Sequence, residues 1–417
     1  MQTVADVTPS FSGSTSSAPE LRAGAVVGHG DFEAIRRRMM LEFCKWDSQI
    51  GDTATLAPFP LLIRRGAWER LAKLAESATA ELLAAEGELL ARPELHQDLG
   101  LPRAIRRALR GGCPPSPAAV RVMRFDFHPA TDGWRVSEVN SDVPGGFTES
   151  SSFTALMSEH FAASTAGCPV AAWADAIARA GQPAALLYAP GILEDMQIMA
   201  YLSDRLAERG VRALLAKPQQ LRFSDGRAYL ASANYPGPIG VIVRFFQAEW
   251  LFRTGRRRNW QPLFVGGRTP VANPATTILT ESKRFALVMD RLRTPMTTWR
   301  TLLPETRDPR DAPWKSGDGW IVKTALCNTG DTVCMRDQVK PRTWRQIRRE
   351  IFFFPRAWVA QRRFDASPLD SPAGCVYPCI GVYTVDGKAA GIYGRFSTKP
   401  LIDYSAVDVA VLVEDER

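Results

Sequence analysis

Four histidines in 417 residues leave little material for imidazole chemistry, and the seven cysteines do not supply the difference. Cys375 and Cys379 stand close together, but no second ligand pair completes a zinc site, and Cys327 and Cys334 have no evident histidine partner as nucleophiles. An odd cysteine count argues against a framework of paired disulfides, and the chain does not open with a basic stretch followed by an apolar one, so the expected compartment is the cytoplasm. Nor is there a run of roughly 20 apolar residues to span a bilayer. Even the alanine-rich stretch 68–91 is broken by Arg70, Lys73, Glu76, Glu81 and Glu86. The Gly-x-x-x-x-Gly-Lys-Ser/Thr loop of P-loop proteins is absent, and Gly28-His29-Gly30 lacks the third glycine of a dinucleotide fingerprint and reads as a loop.

What is present is ordinary globular material, 45% hydrophobic and 23% charged, long enough to bury two or three cores. The excess of basic residues, +8 net, suits anionic ligands. Arginines gather at 253–258 and 342–349 with Trp260 and Trp344 nearby, an interleaving that can mark a nucleic-acid surface. With no nucleic-acid motif beside them, a solvated or nucleotide-facing surface fits better, and neither nucleic acid nor membrane is an expected partner.

The stretch 1–20, rich in Ser, Thr, Ala and Pro, reads as a disordered leader. Apolar residues at helical spacing predict a helix over 67–91 and a second near 102–109. Alternation on either side of Pro129-Ala130-Thr131-Asp132-Gly133 predicts a hairpin over 119–140. A strand at 184–188, a helix at 194–208 and a strand at 211–216 make a βαβ pattern, followed by a hairpin turning at Asp225-Gly226 and a strand at 239–246. The last third alternates short strands (319–324, 332–336, 358–364, 379–385, 388–395) with one helix near 342–352. The fold class is α/β with α+β elements. The expected units are 21–180, helices and the first hairpin; 181–270, a parallel-sheet domain; and 271–417.

The chemistry concentrates in the first hairpin. Alternate residues of a strand share a face, so Arg124 pairs with Asp126 and Glu138 with Asn140. Because 126 plus 138 equals 124 plus 140, a symmetric register sets Asp126 opposite Glu138, a repulsion on the order of 1–4 kcal/mol that something must offset. A divalent cation would do so, since Asp, Glu and an Asn carbonyl are hard oxygen donors. A solvated polar face with Arg124 neutralising one carboxylate is the other reading, and periodicity alone does not choose between them.

Arg-x-Asp, a turn, then Glu-x-Asn-x-Asp-x-Pro, here Arg124 to Pro144 with Glu149 just beyond, resembles the metal-binding signature of the synthetase domain of glutathionylspermidine synthetase and its circularly permuted ATP-grasp relatives. The resemblance implies a permuted ATP-grasp fold with a pre-ATP-grasp parallel-sheet domain. It implies Mg²⁺ on Asp126, Glu138 and Asn140, Arg124 at the reacting phosphoryl group, and Ser141, Asp142 and Glu149 toward substrate. Phe246 to Leu251 looks like the family's aromatic-Glu segment, and Asn273-Pro274 to Ser282-Lys283 like the run ending in a nucleotide-binding lysine. Lys323, Gly330 in the following loop and Gln361 match the positions that clamp ATP, and Gly394-x-Arg matches the segment whose arginine, here Arg395, stabilises the transferring phosphoryl group. One departure stands out: relatives carry a Gly-Arg-Glu-Gly-like flap where this chain has Leu326-Cys327-Asn328-Thr329-Gly330.

The implied activity is an ATP- and Mg-dependent, ADP-forming ligase joining a small-molecule or peptide carboxylate to an amine, such as a polyamine or amino acid, through an acyl phosphate. With no amidase region ahead of the matched segment, substrates other than glutathione and spermidine are favoured. A degenerate ATP-grasp protein that binds nucleotide or a partner without turnover is the alternative, and a nucleic-acid-binding protein the more distant one.

Overall fold

The structure is a computed structural model that describes residues 19–47, 49–50, 53–110, 114–116, 118–231, 235–251, 260–316, 319–326 and 333–415. Arg65–Leu90 forms a helix of 26 residues, about 39 Å long at 1.5 Å per residue. Its buried Leu71, Ala75, Ala78, Leu82, Ala85 and Leu89 recur every three or four residues and so form one stripe. That stripe belongs to the largest core, and Thr79 bonds Thr384 on the neighbouring sheet at 2.9 Å. The helix's polar side is used too. Glu81 accepts from the backbone N–H groups of Thr298 and Trp299, and Glu88 from those of Arg293 and Thr294. Accepting several N–H bonds holds the Glu88 carboxyl down at about 2 even though desolvation pushes it up.

The neighbouring sheet is antiparallel and joins distant parts of the chain. Its order is Val407–Val409, Lys388–Ser397, Gly374–Val385, Val122–Ala130 and Gly133–Asn140, with Leu369–Ser371 also paired to Gly374–Val385. The expected hairpin is therefore two strands of a six-stranded sheet completed from the last third of the chain.

A second, wholly parallel sheet runs Val271–Ala272, Val241–Phe245, Ala184–Tyr188, Ala213–Ala216. Helices Pro169–Ala180 and Leu193–Ala207 share its second core. A third sheet, Thr306–Arg307, Trp358–Arg362, Trp320–Thr324 and Val333–Cys334, carries helix Pro341–Phe353. A fourth sets Leu61–Arg64 parallel to the late strand Val411–Glu414, with Leu21–Ala23 on its other side.

Several expectations change, among them the strand over 379–385, which begins at Gly374. Gly28-His29-Gly30 is no loop: Gly28 caps a helix, His29–Glu42, that buries Phe32, Ile35 and Met39. The strand expected over 332–336 is the shorter Val333–Cys334. Of the leader, residues 1–18 lie outside the described residues, whereas Glu20 is anchored by Arg70 and by the Trp134 indole at 3.0 Å. No helix among the described residues is long and apolar enough to cross a membrane.

Candidate active site

The hairpin strands Val122–Ala130 and Gly133–Asn140 pair in the symmetric register, Arg124 opposite Asn140 and Asp126 opposite Glu138. A bulge follows, because the next partners are Phe127 and Val136, which leaves Ser137 as the extra residue. Its carbonyl accepts from Lys323 Nζ at 3.1 Å, and its hydroxyl meets His128 Nε2 at 3.0 Å.

The carboxylates need no metal to offset their repulsion. Arg124 grips Asp126 with two nitrogens, at 2.7 and 3.0 Å. Asn140 Nδ2 donates to Asp126 Oδ2 at 3.2 Å and Arg395 reaches the same oxygen at 3.4 Å. Glu138 pairs with Lys283 at 3.2 Å. Burial pushes the Asp126 carboxyl up, but the two guanidiniums outweigh it and hold the carboxyl below its ordinary value. Among the described residues, no three His, Cys, Asp or Glu side chains are grouped to hold a metal by themselves.

These groups face a cavity of about 490 Å³ whose lining includes Arg124, Asp126, Glu138, Asn140, Lys323 and Arg395. In the strand Trp320–Thr324 the alternation is clean. Trp320 and Val322 enter the core under helix Pro341–Phe353, while Ile321 and Lys323 face the cavity. Desolvation lowers the Lys323 ammonium to about 8. It also lowers His128 to about 4, against the pull of Asp126, so this imidazole is neutral at pH 7.

Beyond Asn140 the chain turns inward. Ser141 and Asp142 do not line the cavity, although Val143, Gly145, Gly146 and Glu149 do. Asp142 is buried on Arg244, accepts from the Ala248 N–H at 2.8 Å and from the Thr277 hydroxyl at 2.9 Å, and so ties the hairpin to the parallel sheet. Ser141 N–H and hydroxyl both donate to Glu281, as does the Asp142 N–H. Asn273 adds a two-way bond to the Val122 backbone, 2.7 Å each way. Both glycines have close neighbours within the chain. Gly146 has φ +84 and a Cβ there would lie 2.9 Å from the Tyr393 ring, while Gly145 is similarly close to Glu194. The Gly145 carbonyl accepts from Arg124 and from the Tyr383 hydroxyl.

Lys283 and Gln361 stand behind the cavity wall. Gln361 is buried, donates to the Thr306 hydroxyl at 3.1 Å, and has no partner for Oε1 among the described residues. Gly330 and the rest of the departing flap sequence beyond Leu326 fall in 327–332, outside the described residues, as does the arginine cluster at 253–258.

The opposite end of the cavity was anticipated only in Glu149. It is acidic, with Asp47, Glu149, Glu194, Asp195 and Asp408 around one buried lysine, Lys45. Lys45 meets Glu149 at 2.5 Å, Asp47 at 3.0 Å and Asp408 at 3.6 Å. Tyr393 joins the two ends: its hydroxyl donates to Asp408 at 2.5 Å, and its ring lies under Arg124 and Arg395. Desolvation, reinforced by Glu194, raises Asp195 to about 7. No local motif announces Lys45 or Asp408. For His128 a signal existed, since it continues the Arg124, Asp126 alternation.

A model of the glutathionylspermidine synthase preATP-grasp family matches residues 65–414. The chain belongs to that family. Membership supports a ligase of the carboxylate–amine kind. No curated protein sequence matches the chain. Among solved structures, the apo form of a glutathione synthetase-like effector from Globodera pallida superposes with a TM-score of 0.62 at 11% identity, over 92% of this chain and 97% of that one. The likeness is one of fold, and it bears out the mixed α/β, ATP-grasp-like architecture expected from the sequence. A putative gamma-glutamylcysteine synthetase from Methylobacillus flagellatus KT gives 0.42 at 13% identity, over 77% and 83% of the two chains. Lys45, Asp47 and Thr55, which complete the cavity, precede the part of this chain that the family model matches.

Proposed function

We propose that this protein is an ATP- and Mg²⁺-dependent, ADP-forming ligase that joins a small carboxylate to an amine. The supporting observation is the convergence on one cavity of two opposed carboxylates and Asn140 with Arg124, Arg395 and Lys323. Carboxylate and amide oxygens beside several cations suit a metal-bound polyphosphate, since Mg²⁺ takes one or two carboxylates and fills its shell with phosphate and water. Asp126 Oδ1 accepts only from Arg124 Nε among the described residues, so it keeps a lone pair free. Asp126, Glu138 and Asn140 would hold the ion, whose contribution is to neutralise phosphate charge.

Lys323, with Lys283 behind Glu138, binds phosphate oxygens. Arg395 faces the γ-phosphoryl group, where a planar fork stabilises charge on two oxygens at once. A substrate carboxylate oxygen attacks the γ-phosphorus, the bond to the bridging oxygen breaks, and ADP leaves with an acyl phosphate behind. The amine then attacks the acyl carbon and phosphate departs. The acidic end of the cavity suits a cationic amine, and Asp195, raised toward neutrality, is placed to take its proton. Positioning and electrostatics carry the phosphoryl transfer, so no side-chain nucleophile is required.

Thermal-shift titration tests this. ATP with Mg²⁺ should stabilise the wild type by about 2.7 kcal/mol at a hundredfold excess over Kd. The gain should vanish with EDTA and in Glu138→Gln/Asn140→Ala. Absence of any shift sinks the reading. The Arg124 grip on both Asp126 oxygens favours the second reading, a nucleotide binder without turnover. A Mg²⁺-dependent shift with no ADP release across acids and amines would select it. The nucleic-acid reading loses support at 342–349, because Trp344 is buried and cannot stack on a base.

A further inference from the structure

The arginine-rich helix Pro341–Phe353 takes no part in the cavity, and one side of it is satisfied: Trp344, Ile347 and Ile351 pack beneath it against Trp320, Val322 and Trp358. The outer side is unlike the rest of the surface. Arg342, Arg345, Arg348 and Arg349 are exposed, and none of them, nor Arg356, has an ion-pair partner among the described residues. The helix's one acidic residue, Glu350, accepts from Gln346. Positions 342, 345, 349 and 352 follow helical spacing and share a stripe. That stripe runs into Phe352, Phe353 and Phe354, which are 78%, 65% and 67% exposed. Phe353 and Phe354 also border an open groove of about 470 Å³ edged by Arg106, Arg310 and Arg356.

We propose that this end of the molecule is a peripheral docking surface for an anionic lipid bilayer. Single-sign charge complements acidic headgroups, and aromatic side chains at the end of a basic helix suit the boundary between headgroup and acyl chain. Consecutive phenylalanines decide between a bilayer and a polypeptide. Phe352 and Phe353 end the helix and meet edge to face, Phe354 follows as its cap, and of the three only Phe353 and Phe354 border the groove. A single peptide strand would cover one or two of them, whereas a fluid interface receives all three. Docking leaves the cavity open, because the helix packs on the Trp320 and Val322 face of the strand and Lys323 reaches the cavity from the other. That no helix among the described residues is long and apolar enough to cross a membrane leaves a peripheral contact available.

Flotation of the full chain with vesicles tests the proposal. Vesicles of phosphatidylcholine alone are compared with vesicles containing phosphatidylserine, at low and high salt, for wild type, Phe352→Ser/Phe353→Ser/Phe354→Ser and Arg345→Gln/Arg348→Gln/Arg349→Gln. All six changes are at exposed positions, and an unchanged melting temperature confirms folding. Wild type should float with the anionic vesicles only. Each arginine near such a surface is worth about a fivefold change in partitioning, so the arginine variant should bind roughly a hundredfold more weakly. The phenylalanine variant should lose the binding that survives high salt. Failure of the wild type to float overturns the proposal. Equal flotation of the phenylalanine variant overturns it too, reducing the effect to adsorption by net charge. Tight binding of poly-glutamate or a single-stranded oligonucleotide by a protein that ignores vesicles would assign the surface to another polyanion.

Discussion

Arg124 and Asp126 sit two residues apart on one strand face and bind each other through two guanidinium nitrogens and both carboxylate oxygens, with side chains 7% and 2% exposed. A pair so deeply buried is a structural commitment, since removing one member strands the other's charge away from water. Asp126→Ala should cost about 3–5 kcal/mol in urea denaturation, and Arg124→Met/Asp126→Leu should recover most of it. A loss below about 0.5 kcal/mol for the single variant would mean that solvent reaches the pair.

Arg395 lies at the rim of the same network, 25% exposed and only 3.4 Å from Asp126. Its removal should therefore separate turnover from stability. Arg395→Met is expected to keep the ATP-linked thermal shift while ADP release falls by about 10²–10³, the usual loss for one donor to a developing oxyanion. Equal loss of binding and turnover would make Arg395 a ground-state phosphate contact.

Much of this arrangement is legible in the sequence because it is local. The register of the first hairpin follows from the numbering of four polar residues about a turn, and the long helix from one stripe of leucines and alanines. The acidic end is not local. Lys45 meets Asp408 because the backbone of Thr55, Leu56 and Ala57 pairs with that of Asp408, a contact no window of sequence contains. Asp142 misled for a related reason: its motif position points toward a ligand, but Arg244, a hundred residues on, claims the carboxylate. The helix at His29 was hidden by glycines on either side of its first residue, since propensity there is poor and packing of Phe32, Ile35 and Met39 decides.

Glu281 should leave a pH signature. Desolvation and the nearby Asp142 raise its carboxyl from 4.5 to about 7. The folded state then holds a proton that the unfolded chain has released, so stability falls as pH rises between about 4.5 and about 7. Over that window one proton is worth at most about 3 kcal/mol. Glu281→Gln keeps an oxygen for the Ser141 and Asp142 N–H groups and cannot ionise. Urea midpoints across pH 4.5–7.5 should be flatter in this variant than in wild type. Parallel curves would place the titration elsewhere.

Lys323 should link pH to nucleotide affinity with the opposite chemistry. Desolvation lowers its ammonium from 10.5 to about 8, despite the favourable field of Glu138. Below that pH the buried charge costs stability, because the unfolded chain carries the same proton in water. Lys323→Met should therefore stabilise the free protein at pH 7, by up to about 3 kcal/mol less whatever the bond to the Ser137 carbonyl contributes. ATP reverses the balance, since a phosphate needs the cation. Wild-type affinity for ATP with Mg²⁺ should fall as pH passes about 8, by no more than tenfold per unit. Lys323→Arg, which stays charged, should hold its affinity across the same range. Calorimetric titrations from pH 7 to 9.5 read this directly. An equal fall in wild type and Lys323→Arg would show that another group sets the pH dependence and that Lys323 does not bear on phosphate.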